Sequence, residues 1–82
     1  MSIKVVFFAQ VREQLGLDAI EIEQAYPTVD CLRHALMERG ELWAKALGQP
    51  HLLAAVNHSI VGLHAPLTAG DEVAFFPPVT GG

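Results

Sequence analysis

Two adjacent prolines near the C terminus place the strongest constraint on how this chain can fold. Pro77 and Pro78 follow an apolar run and precede the last four residues, Val79, Thr80, Gly81 and Gly82. Because proline lacks a backbone N–H and fixes φ, the chain cannot extend a strand or begin a helix here. We therefore predict a folded domain over residues 1–76 and a projecting tail over residues 77–82. An inert, frayed terminus is the alternative.

The tail has the length and shape to enter a buried site of another protein. At roughly 3.3–3.6 Å per extended residue, six residues span about 20 Å. Glycine has no Cβ, so Gly81 and Gly82 suit a narrow channel. The chain would then act through its terminal carboxylate.

Length and charge limit what the rest of the chain can do. The 82 residues fit one domain with a small core, and an apolar content of 51% predicts that it folds. The net charge of −4 argues against nucleic acid or an anionic membrane as partner and favours a basic protein surface. With one cysteine, and with neither a leader nor a long apolar run, a cytoplasmic location is expected.

The order of predicted elements indicates an α+β fold, a mixed sheet crossed by one main helix. Alternation and turn residues predict strands over 2–8, 18–23, 52–56, 60–63 and 72–76. A helical turn is expected over 9–15, the main helix from Thr28 to Gly40, and a short helix or irregular turns over 41–47. The first and last strands would be central and parallel.

Strand alternation also predicts an exposed apolar patch. If Ile3, Val5 and Phe7 point inward, then Phe8 lies on the outer face at the end of its strand. Phe76 falls on the same face of the last strand, and Ile60 joins from a neighbouring one. A contiguous apolar patch on so small a domain indicates a protein interface.

No residue pattern forms a complete catalytic or metal site. The four histidines lack zinc-ligand spacing. Cys31 falls in the first turn of the main helix with no evident base nearby, so we expect a small packing residue rather than a nucleophile. Asp71 and Glu72 are adjacent on a strand and point to opposite faces, so they cannot flank one substrate.

Three segments together resemble a known family. Residues 6–13 (VFFAQVRE), 53–57 (LAAVN) and 71–82 (DEVAFFPPVTGG) are similar to the small subunit of molybdopterin synthase, the MoaD-type sulfur carriers. The similarity runs nearly end to end. It implies a ubiquitin-like β-grasp fold and an extended C-terminal tail, in agreement with the element order.

The resemblance also implies a role for the tail. In that family an ATP-using, E1-like activating enzyme adenylates the terminal carboxylate, here that of Gly82, and a sulfur donor system converts it to a thiocarboxylate. The large synthase subunit then takes up the tail, and sulfur passes to cyclic pyranopterin monophosphate to form the dithiolene of molybdopterin. The chain would be a non-catalytic, sulfur-donating subunit of a heterotetramer, with no bound cofactor or metal.

The partner-binding residues implied by the resemblance are Phe8, Ile60 and Phe76, with Pro77 at the start of the tail. Two other classes stay open. One is a ubiquitin-like carrier for thiazole or tRNA thiolation, or a modifier joined to protein lysines through Gly82. The other is an interaction module with an inert tail.

Overall fold

Five strands form a single mixed sheet in the order β2-β1-β5-β3-β4. The computed structural model describes residues 2–78. Its strands are β1 (Ile3–Phe7), β2 (Ala19–Ile22), β3 (Leu53–Val56), β4 (Ser59–Val61) and β5 (Glu72–Phe76). Its helices are α1 (Ala9–Leu15), α2 (Val29–Met37) and α3 (Glu41–Leu47).

The first and last strands are parallel neighbours inside the sheet, as the sequence predicted. Val5 pairs with Val73 and Phe7 with Phe75. The other neighbouring pairs, β1 with β2, β3 with β5 and β3 with β4, are antiparallel. Consequently β5, the strand that carries the C terminus, lies at the centre of the sheet and is fixed on both sides.

One face of the sheet packs against the helices and forms the core. Val5, Phe7, Val73 and Phe75 are fully or almost fully buried there. The buried residues of α2 are Val29, Leu32 and Leu36, and those of α3 are Ala46 and Leu47. Each Val, Leu or Phe buried in this way contributes about 1.5–3 kcal/mol to folding. Trp43 packs edge-on against Phe7 with ring centroids 5.8 Å apart.

The predicted start of the main helix is confirmed, but its predicted end is wrong. Thr28 accepts a hydrogen bond from the Cys31 N–H at 3.2 Å, a cap worth about 1 kcal/mol. The helix ends at Met37, before Gly40, because Arg39 N–H bonds back to Leu36 O at 3.1 Å and tightens the last turn. Gly40 is instead the residue that precedes α3.

The β3–β4 hairpin turns on two residues rather than the predicted three. Asn57 and His58 have φ values of 50° and 72°, the left-handed pair that a tight hairpin turn requires. Strand β4 ends at Val61 rather than Leu63, because the chain beyond it caps α2. Leu63 O accepts from the Asp30 N–H at 2.8 Å, and Ala65 O accepts from the Val29 N–H at 3.0 Å.

Within residues 2–78, none of the helices has both the length and the apolar character needed to cross a membrane.

Candidate partner-binding face and C-terminal tail

The sheet face that points away from the helices carries a row of apolar side chains across four strands. Val6 of β1 pairs with Ala74 of β5, and Ala74 pairs with Ala55 of β3. Ala55 in turn pairs with Ile60 of β4. Residues paired in register share a face, so these four side chains lie side by side on the outer surface.

A second row of apolar side chains lies two residues further along β5, at the level of Phe76. Phe8 keeps an extended backbone, with φ −127° and ψ 156°, and its N–H donates to Phe75 O at 3.3 Å. Its side chain therefore continues the alternation of β1 onto the outer face, next to Phe76. On the other side of Phe76, Leu53 is its register partner. We call these seven residues the outer patch: Val6, Phe8, Leu53, Ala55, Ile60, Ala74 and Phe76.

Exposure differs sharply across the outer patch. Ile60 is 72% exposed and Phe8 is 48% exposed, while Phe76 is half-buried. Ala55 and Ala74 have short side chains, so the surface between the larger residues is low, and Ala55 is only 8% exposed. The result is a shallow apolar surface with Phe8 and Phe76 at one end and Ile60 standing above it at the other.

The structure places Phe8, Phe76 and Ile60 on one face, but not in one tight cluster. Phe8 and Phe76 are on adjacent strands, whereas β3 separates Ile60 from β5. The predicted patch did not include Val6, Leu53, Ala55 or Ala74, which complete the outer patch between and beside these residues. Alternation along β3 is the signal that would have placed Leu53 and Ala55 on this face. The partner-binding role of Phe8, Ile60, Phe76 and Pro77 stays a prediction.

A polar network fixes the start of β5 to the β3–β4 hairpin. The Asn57 amide donates to Asp71 Oδ1 at 3.0 Å, and the Thr68 N–H donates to Asp71 Oδ2 at 2.8 Å. These bonds, with that from Asn57 the stronger influence, hold the pKa of Asp71 below its ordinary value of 3.8. Asn57 Oδ1 also accepts from the Glu72 N–H at 3.0 Å. The Asp71 side chain and the Glu72 backbone N–H therefore take part in hydrogen bonds within the fold.

The C-terminal segment leaves the sheet at the end of the outer patch. Strand β5 ends at Phe76, and Pro77 and Pro78 follow outside the ladder. Pro77 is half-buried and Pro78 is exposed. The tail residues Val79, Thr80, Gly81 and Gly82 lie outside the described residues, so their predicted roles stay predictions.

Cys31 is not the small, partly buried packing residue that the sequence predicted. It is exposed, because the buried stripe of α2 follows Val29, Leu32 and Leu36 and leaves Cys31 on the solvent side. Among residues 2–78, no group of three His, Cys, Asp or Glu side chains is arranged to hold a metal ion. His34 instead contacts Asp30, with Nδ1 and Oδ2 3.4 Å apart.

These features define a class of protein. A β-grasp sheet with helices on one face, an apolar outer face and a C-terminal segment released from the central strand is the architecture of a ubiquitin-like carrier domain. The profile of the ThiS family matches residues 5–82. The chain is also 58% identical over 80 residues to the molybdopterin synthase sulfur carrier subunit of Escherichia coli, covering 98% of this chain and 99% of that protein. The chain belongs to the ThiS family and, within it, to the molybdopterin synthase sulfur carrier subunits.

Solved structures agree on the fold. The crystal structure of SAMP1 from Haloferax volcanii has a TM-score of 0.80 and 27% identity, with full coverage of both chains. Subunit 1 in a complex of subunits 1 and 2 of molybdopterin-converting factor from Helicobacter pylori is also similar. Its TM-score is 0.70 and its identity 28%, again with 100% coverage of both chains. The predicted ubiquitin-like β-grasp fold is thus confirmed.

Proposed function

We propose that this chain carries sulfur on its C-terminal glycine and delivers it to a second subunit of molybdopterin synthase. The terminal carboxylate of Gly82 is adenylated, converted to a thiocarboxylate and presented to the large subunit. There each thiocarboxylate gives one sulfur atom to cyclic pyranopterin monophosphate and returns to a carboxylate, so two such transfers form the dithiolene. The chain supplies the reacting group, and the enzymes that hold the tail supply catalysis.

The observation that carries this proposal is the position of the outer patch relative to the tail. Phe76 belongs to the patch and is the last residue of β5, so Pro77 follows it directly. A partner that covers the patch therefore lies where the tail begins. With about 3.3–3.6 Å per extended residue, Gly82 can reach a site about 20 Å from Phe76. Binding energy from the patch can then position the terminal carbonyl.

Activation by adenylation follows from the chemistry of a carboxylate. A carboxylate is a poor acyl electrophile, whereas an acyl-adenylate has a good leaving group. Attack of a hydrosulfide-level sulfur (HS⁻) on the adenylate forms the C–S bond, expels AMP and leaves a thioacid, which is a soft nucleophile at neutral pH. The ATP is consumed by a separate E1-like enzyme, and the sulfur comes from a separate donor system. We expect this chain to bind no cofactor of its own, and we place the reaction in the cytoplasm.

Deletion of Gly82 tests the proposal directly. It moves the terminal carbonyl back by about 3.5 Å, and a misplacement of about 1 Å can reduce a rate on the order of a hundredfold. We expect the deletion to abolish thiocarboxylate formation with the activating enzyme and ATP, measured by intact mass. Single-turnover sulfur transfer with the large subunit should be lost as well. Binding to the large subunit and the melting temperature should change little, because the deletion removes no core residue.

A variant with one residue added after Gly82 serves as a second test. It keeps every native residue but puts a side chain and a new carboxylate where the bare glycine end must fit. The proposal is wrong if the Gly82 deletion is thiolated and transfers sulfur at the wild-type rate.

A second candidate function is attachment to other proteins. SAMP1, to which the fold is similar, is by name a small archaeal modifier protein. In that case Gly82 would form an isopeptide bond with a lysine instead of a thiocarboxylate. Mass spectrometry of tryptic peptides from cells that express the chain separates the two. Because Lys45 is the last Lys or Arg of the chain, trypsin would leave residues 46–82 attached to the lysines of a modified protein. A sulfur carrier instead leaves the unattached chain heavier by the difference between sulfur and oxygen.

A further inference from the structure

Strand β2 presents an open backbone edge to solvent. It is the outermost strand of the sheet beside β1. The Phe7 N–H donates to Asp18 O at 2.9 Å, which shows that Asp18 directs its carbonyl toward β1. Because this direction alternates along an antiparallel strand, Glu21 and Glu23 direct their N–H and C=O groups away from β1. Among residues 2–78, these outward groups have no backbone partner.

A groove of about 340 Å³ runs beside this edge, between β2 and α2. Its apolar lining comes from Ile22 and Leu36, which are 6% and 2% exposed, and from the half-buried Ala35 and Tyr26. The rest of its lining is polar and comes from Glu21, Glu23, Gln24 and Arg39. The Tyr26 hydroxyl is held by Gln24 Oε1 at 2.9 Å. A strand added to the β2 edge would therefore place every second side chain in this groove, where Ile22, Ala35 and Leu36 offer apolar contacts.

The side chains of such a strand that point away from the groove would face the negative charges of Glu21 and Glu23. The register aligns Glu21 with Lys4, and Lys4 with Glu72, so charge alternates across three strands. A lysine or arginine opposite Glu21 would continue this alternation onto a further strand, and opposite charges in register stabilise strand pairing. Glu23, also exposed, adds a second negative charge at the edge.

The same charges disfavour a second copy of this chain as the occupant. Two β2 edges in contact would bring the Glu21 and Glu23 side chains of both copies together, and like charges in register are destabilising. The net charge of −4 adds to this repulsion. The edge is therefore protected from self-pairing but open to a strand of opposite charge.

We propose that β2 captures an extended segment of another protein whose side chains alternate between apolar and basic. The apolar side chains would enter the groove of Ile22, Tyr26, Ala35 and Leu36, and the basic ones would face Glu21 and Glu23. Ile60 lies on β4, at the opposite edge of the sheet. The Ile60 end of the outer patch thus stays open to a partner while β2 holds this segment, whereas Val6 lies on β1, the strand next to β2.

The test uses the full 82-residue chain labelled with nitrogen-15 and the peptide acetyl-KVKVKV-amide as probe. We expect the probe to protect the amides of Glu21 and Glu23 from hydrogen exchange and to shift the Ala35 and Leu36 resonances. A Glu21→Lys variant should weaken binding about five- to tenfold, as reversal of one exposed charge pair predicts. A Glu13→Lys variant makes the same charge change on the exposed face of α1 and should bind the probe as the wild type does.

Two control peptides separate strand pairing from simple charge attraction. Acetyl-KKKVVV-amide has the same composition without alternation, and acetyl-EVEVEV-amide keeps alternation with the wrong charge; both should bind at least about fivefold more weakly. The proposal fails if acetyl-KKKVVV-amide binds equally well, or if Glu13→Lys and Glu21→Lys weaken binding equally. It also fails if the protected amides lie on β4 or on the outer patch instead of β2.

Discussion

Truncation of Ile60 offers a quantitative test of the outer patch as a binding surface. An Ile→Ala change removes three carbon atoms, worth about 0.8 kcal/mol each when moved from water to an apolar environment, or about 2.4 kcal/mol in total. Since Ile60 is 72% exposed in the free chain, only about 0.7 kcal/mol of this sum contributes to folding. A strand-propensity change of a few tenths of a kcal/mol adds to the loss of stability.

The remaining part of this free energy becomes available when a partner covers Ile60. Full coverage would contribute about 1.7 kcal/mol, so Ile60→Ala should raise the Kd for the large subunit about 20-fold. Titration calorimetry with the purified large subunit measures this change. Urea unfolding of the free variant should show a loss of no more than about 1.5 kcal/mol.

Leu42→Ala is the matched control for Ile60→Ala. Leu42 is 60% exposed, loses the same number of carbon atoms and lies on α3, away from the outer face. Its truncation should have a similarly small effect on unfolding and should leave the Kd unchanged. An unchanged Kd for Ile60→Ala, or equal Kd changes for both variants, would refute the assignment of the outer patch as the binding surface.

The other predictions concern the aromatic residues, the thiol and acid stability. Phe8→Ala and Phe76→Ala should each weaken large-subunit binding by about 2 kcal/mol or more in calorimetry; a collapsed melting temperature with intact binding would instead make them core residues. Cys31→Ala should leave sulfur transfer intact in the single-turnover assay and change stability by less than about 1 kcal/mol, because the thiol is exposed; lost transfer in the folded variant would contradict this. Since folding lowers the pKa of Asp71, its stabilising effect is complete above the ordinary value of 3.8 and is lost as pH falls through the lower folded value. Urea unfolding should therefore show Asp71→Asn destabilised at neutral pH and closest to the wild type in strong acid; a difference independent of pH would contradict this linkage.

Local patterns in the sequence determined most of the secondary structure and the general type of fold. Alternation along β1 and β5 fixed which side chains are buried, because a strand with one face on a core must place apolar residues at every second position. Thr28 fixed the start of α2, because its hydroxyl satisfies a free N–H there. The glycines and prolines near the C terminus indicated a tail for the same local reason, the backbone conformations that these residues favour or forbid.

Features that depend on residues distant in sequence were decided only by the tertiary structure. The end of β4 at Val61 follows from hydrogen bonds between residues 63–65 and the first turn of α2, which no local pattern encodes. Cys31 is exposed because the helix is rotated to bury Leu32 and Leu36 against the sheet. Strand order also decides that β2 has an open edge and that Glu21 is paired with Lys4 on one side only. Strand order in turn reflects which apolar faces can be buried together, and that is a property of the whole chain.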